Sequence, residues 1–96
     1  MNRDAVLSFL ESHKEELAEQ FGVEKIGLFG SVAEGRQTAE SDLDFYVSFH
    51  RKSFRNLTGL YRYLEAHFGR AVDIVTEHSH MRQGLRREIE KSVCYG

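Results

Sequence analysis

The chain has 96 residues, of which 41% are hydrophobic and 29% charged, and it carries a net charge of −2 at pH 7. That supports one domain with one modest core, and no apolar run approaches the ~20 residues a membrane-spanning helix needs. The charge balance excludes a strongly basic nucleic-acid binder, and a single cysteine, Cys94, excludes an internal disulfide.

Residues 4–20 place Val6, Leu10, Leu17 and Phe21 at near-helical spacing between Glu and Lys, which predicts one amphipathic helix ending near Gly22. No signal-peptide core precedes it, so with the lone cysteine a cytoplasmic protein is expected. Glu24–Phe29 reads as the first strand. Gly30-Ser31 opens a short helical turn, and Gly35 to Glu40 form a polar loop. Leu43–Phe49 is the second strand. Ser53 suits the N-cap of a second long helix with a core-facing stripe of Phe54, Leu57, Leu60, Tyr61, Leu64 and Phe68, stopped by Gly69. Ala71–Val75 is the third strand. Met81, Leu85 and Ile89 mark a C-terminal helix, and Ser92–Tyr95 adds a short final strand. The order predicts an α/β (α+β) fold, a small sheet flanked by helices.

Ten residues after Gly30-Ser31 come Asp42 and Asp44, two positions apart at the start of the second strand. Side chains two apart on a strand share a face. Asp73 lies between Val72 and Ile74 in the third strand, and a charge in an apolar strand calls for a partner. If the third strand lies beside the second, the three aspartates converge. Three hard oxygen donors suit Mg²⁺, which keeps waters and accepts phosphate oxygens. Two such ions, roughly 3.5–4 Å apart, serve an attacking hydroxyl and a leaving pyrophosphate. Gly30 lets the backbone approach a phosphate, and Ser31 offers a hydroxyl. The chemistry that fits is nucleotidyl transfer from a nucleoside triphosphate.

Residues 26–49 and 71–76 resemble the minimal nucleotidyltransferases, a branch of the polymerase-β-like superfamily marked by Gly-Ser, ten residues, Asp-x-Asp and a later carboxylate. The resemblance covers most of the chain and implies one nucleotidyltransferase domain over residues 1–96. It implies an antitoxin that transfers AMP from ATP to a tyrosine of a partner HEPN-domain ribonuclease toxin. It also implies that Asp42, Asp44 and Asp73 are catalytic and hold two Mg²⁺ ions, with Asp73 helping to deprotonate the acceptor hydroxyl. By the same resemblance, Gly30 and Ser31 would hold the triphosphate. The family commonly has arginine where this chain has Glu34, and Arg36 stands two residues on to supply that positive charge.

Two alternatives stay open. One is a weak or inactive member that neutralises its partner by occlusion alone. The other is the catalytic lobe of a small-molecule, aminoglycoside-type nucleotidyltransferase completed by a second chain. A homodimer and a hetero-oligomer with the toxin are both compatible with so small a domain. Neither membrane nor nucleic acid is expected as a partner. Residues 1–49 hold 4 Lys/Arg against 10 Asp/Glu, and residues 50–96 hold 9 against 5, an asymmetry read as solvated faces. His78 and His80 read as solvent-exposed loop residues, and His13, His50 and His67 as surface. Cys94 reads as a small apolar filler, the Phe54/Tyr61/Phe68 stripe as core, and the Arg82, Arg86, Arg87 and Lys91 cluster as a solvated helix face.

Overall fold

Asn2 begins the first helix, its side chain accepting the Ala5 N–H at 2.9 Å, which satisfies one of the donors a helix start leaves open. The computed structural model describes residues 2–35, 42–51, 53–77 and 83–96. The expectations for Arg36, the rest of the loop through Ser41, His78, His80, Met81 and Arg82 lie outside the described residues.

The single helix expected over residues 4–20 is two helices, α1 (Arg3–Ser12) and α2 (Lys14–Phe21). They part at His13, whose ring Nδ1 and backbone N–H both reach the Phe9 carbonyl, at 2.9 and 3.0 Å. The apolar spacing carries no trace of this break, because Leu10 and Leu17 are seven residues apart and remain in phase on a continuous helix. Gly22 ends α2 with φ 68°, the left-handed conformation glycine adopts without penalty.

β1 (Val23–Phe29), α3 (Gly30–Ala33), β2 (Leu43–Phe49), α4 (Phe54–Phe68), β3 (Val72–Thr76), α5 (Gln83–Ser92) and β4 (Cys94–Tyr95) follow. The sheet order is β3-β2-β1-β4. β1 is antiparallel to both β2 and β4, and β2 is parallel to β3. This is a mixed sheet, and α4 is the crossover that a parallel pair requires.

Alternation on β2 sorts the two faces. Leu43, Phe45 and Val47 are fully buried in one core with Val6, Leu10, Leu17, Leu60 and Leu64 from α1, α2 and α4. Val32 and Ala33 of α3 join that core. Asp44 and Tyr46 point to the opposite face, where Arg86 and Glu90 of α5 act on Tyr46. There Gly27 has no room for a side chain, since a Cβ would meet Val93 at 2.6 Å and Tyr95 at 3.0 Å. Ser53 caps α4 by accepting the Asn56 N–H at 3.0 Å, and Gly69 ends it with φ 66°.

Two residues of the expected apolar stripes are not core. Phe54 is 84% exposed and Leu85 48%. Phe54 is the first residue of α4 and stands before the turns that meet the sheet, while Tyr61 is half-buried and Phe68 buried against the core as expected. His13 and His67 are also more engaged than free surface groups, with ring centroids 4.1 and 3.8 Å from that of Phe9, which they stack upon.

Candidate active site

The parallel pairing of β2 with β3 sets Asp44 opposite Asp73. Paired residues of neighbouring strands share a face about 5 Å apart, and Asp42, the residue just before β2, is near enough for its charge to act on Asp44. Asp44 and Asp73 therefore stand side by side, with Asp42 just before them in the chain, at the end of the sheet where β1 passes into α3. The antiparallel register brings Phe29, the last residue of β1, opposite Asp44 from the other side.

Gly30 follows directly and explains itself. Its φ is 79°, and a Cβ there would lie 3.1 Å from Cγ of Asp44 and in collision with Oδ2. Glycine is thus required twice over, for the left-handed backbone and for the approach of the Asp44 carboxylate. Ser31 is half-buried in the first turn of α3. At the far end of that short helix, Arg3 reaches back from α1 and donates to the Ala33 carbonyl at 3.1 Å. Glu34, the position that departs from the expected arginine, is exposed beside Arg3 and Gly35 in a shallow cleft. Arg36, the candidate second cation, lies outside the described residues.

The electrostatics agree with the register. Burial pushes the Asp44 carboxyl above its ordinary value, and the charges of Asp73 and then Asp42 push it further. Neighbouring like charges disfavour the ionised form in this way. Among the described residues no three His, Cys, Asp or Glu side chains are gathered tightly enough to hold a metal ion. The strand register nonetheless sets Asp44 and Asp73 side by side. The donor set, all hard carboxylate oxygens, fits Mg²⁺ rather than a soft metal.

Strand period alone would have added Tyr46, two residues past Asp44 on the same face and almost fully buried. Burial raises its hydroxyl above the ordinary tyrosine range, with Glu77 adding to the effect and Arg86 opposing it. Arg86 pairs with Glu77 at 3.5 Å and ties α5 to the end of β3. Arg86 is therefore half-buried and engaged, not part of a solvated face. Arg3 had no sequence signal, for its partner is thirty positions away.

Residues 11–94 match the family described as polymerase β, nucleotidyltransferase. The chain belongs to this family. As a nucleotidyltransferase it is similar to the protein adenylyltransferase MntA of Thermococcus cleftensis, 38% identical over 93 residues that span 96% of this chain and 93% of the relative. A solved structure provisionally named a minimal nucleotidyltransferase is 28% identical, with a TM-score of 0.79 over 98% of this chain and 95% of that one. Two toxin–antitoxin structures share the fold at lower identity. One, with AMP-PNP, has a TM-score of 0.70 at 23% identity and covers 88% of this chain and 70% of that one. The other joins a tri-AMPylated Shewanella oneidensis HEPN toxin to an MNT antitoxin, with a TM-score of 0.62 at 18% identity and coverage of 93% and 70%. The mixed sheet with helices on both faces is thus the polymerase-β-like nucleotidyltransferase core. Among the described residues no helix is long and apolar enough to cross a membrane.

Proposed function

We propose that residues 1–96 act as one Mg²⁺-dependent adenylyltransferase domain that moves AMP from ATP to a hydroxyl, a tyrosine first of all, on a partner HEPN-type ribonuclease toxin, and so serves as its antitoxin. The observation that carries this reading is the register of Asp44 with Asp73, with Asp42 close enough to act on Asp44 and Gly30 folded against the Asp44 carboxylate. The adenylyltransferase relative supports the reaction, and the two toxin–antitoxin complexes support the nucleotide and the partner.

Asp42, Asp44 and Asp73 would hold Mg²⁺, which when bound neutralises triphosphate charge and lowers the cost of placing an anion beside three carboxylates. The chain's own residues do the rest. Gly30 leaves backbone exposed for phosphate oxygens, the Ser31 hydroxyl donates to them, and Arg36 adds positive charge. The acceptor oxygen attacks the α-phosphorus, a new P–O bond forms, and the bond to the β-phosphate oxygen breaks to release pyrophosphate. Asp73 accepts the hydroxyl proton and passes it to water.

The test is transfer from α-labelled ATP to the partner in Mg²⁺. Label is expected on the partner with wild type and none with Asp42→Asn/Asp44→Asn. Glu34 favours a second reading, because an exposed carboxylate one turn from Gly30 adds negative charge near the phosphate position. If that double variant, still folded, protects RNA from the partner as fully as wild type, neutralisation is by occlusion alone.

A further inference from the structure

β3 is the outermost strand on its side of the sheet, and it carries Asp73. Its peptide groups alternate in direction. The Ala71 carbonyl accepts the Leu43 N–H at 3.3 Å on the β2 side, and the amides of Val72 and Ile74 point the other way, to the open edge. An open edge of this kind frays, slips or pairs with another chain. Here two side chains of α4, one turn apart, cover it. The Tyr61 hydroxyl accepts the Ile74 N–H at 3.2 Å, and Oε2 of Glu65 lies 3.5 Å from the Val72 nitrogen. The two capped amides immediately flank Asp73.

We infer that Tyr61, assisted by Glu65, is a positioning residue for Asp73: by capping the outer edge of β3 on both sides of that aspartate it holds the strand in the register that sets Asp73 opposite Asp44. The consequence of losing register is severe because strand side chains alternate. A slip of one residue turns Asp73 to the core face and Val72 or Ile74 to the site. β3 has five residues and pairs with β2 along its length; the burial of Val72 and Ile74 favours the same register, and the edge caps add to it on the side that β2 does not cover. Tyr61 suits the task, since its side chain packs on the core and its hydroxyl accepts from the strand. Of the two caps Tyr61 is the stronger, as 3.5 Å is at the limit of a hydrogen bond.

This inference rests on the reading of Asp73 as part of the metal-holding site, and the experiment separates the two. Mn²⁺ is titrated as the probe ion, and transfer kinetics are measured on wild type, Tyr61→Phe, Asp73→Asn and the double variant. Tyr61→Phe is expected to weaken Mn²⁺ binding and lower kcat by about tenfold, the scale of losses when a group that orients a metal ligand is removed. KM for ATP should change little, and Tyr61→Phe should add no further loss on top of Asp73→Asn. Glu65→Gln keeps an acceptor and should behave as wild type, while Glu65→Leu should show a smaller version of the Tyr61→Phe loss. Amide exchange at Ile74 should quicken in Tyr61→Phe. If Tyr61→Phe lowers Tm but leaves kcat and Mn²⁺ affinity intact, or costs as much in the Asp73→Asn background, the positioning role is wrong. If Asp73→Asn itself binds Mn²⁺ like wild type, it is the site reading that fails.

Discussion

Asp44→Asn should make the metal-free protein more stable at pH 7, although it removes the most central group of the site. Asp44 lies opposite Asp73, about 5 Å away across the strands. At 5 Å two unit charges repel by about 0.8 kcal/mol in bulk water and about 3 kcal/mol at an effective dielectric of 20. Asp42 and Asp73 are exposed, so the screened end applies and a gain of about 1 kcal/mol is expected. For a domain of this size that is a rise in Tm of roughly 4–8 °C. The pH dependence follows from sign. The folded-state pKa of Asp44 is raised above 3.8, so the folded chain holds that proton more tightly than the unfolded one. The resulting stability is fully present below the unfolded value and is lost as pH rises through the raised folded value. The gain of Asp44→Asn over wild type should therefore vanish near pH 3, where Asp44 is neutral, and shrink in high salt at pH 7. Mg²⁺ should reverse the ranking by stabilising wild type more than the variant. Urea or thermal unfolding in EDTA and in Mg²⁺ measures all of this. A loss of stability at pH 7 in EDTA, or a gain undiminished at pH 3, would refute the reasoning.

Gly30→Ala should abolish adenylyl transfer and lower stability by about 1 kcal/mol or more, read from label incorporation and urea midpoints, because the new methyl group meets Asp44 at a backbone φ of 79°. Leu64→Ala, at a fully buried core position, should cost about 2–5 kcal/mol in chemical unfolding. Phe54→Ser should leave stability within about 0.5 kcal/mol, since that ring is 84% exposed; a larger loss would place Phe54 in the core after all.

Much of this is legible in the amino-acid sequence. The period-two run from Leu43 to Phe49 separates core residues from Asp44, and the Gly-Ser to Asp-x-Asp spacing marks the end of the sheet where the site lies. Strand and cap signals located Ser53, Gly22 and Gly69 because each acts on its own neighbours in sequence. What stayed hidden depends on partners far along the chain or on competition at a single residue. The parallel register of Asp44 with Asp73 is such a feature, as is the grip of Arg3 on Ala33. The break at His13 arises where a ring nitrogen takes a helix carbonyl, and helical spacing is blind to that. Phe54 and Leu85 keep helical phase yet face solvent, because phase says which side of a helix is apolar and not how far the core extends beneath it.

The decisive measurement is intact-mass analysis of the partner toxin after incubation with ATP, Mg²⁺ and either wild type or Asp44→Asn. A gain of one AMP per modified hydroxyl with wild type, none with Asp44→Asn, and loss of toxin ribonuclease activity in step with that gain is the expected result. An unmodified toxin that wild type nonetheless silences would contradict it.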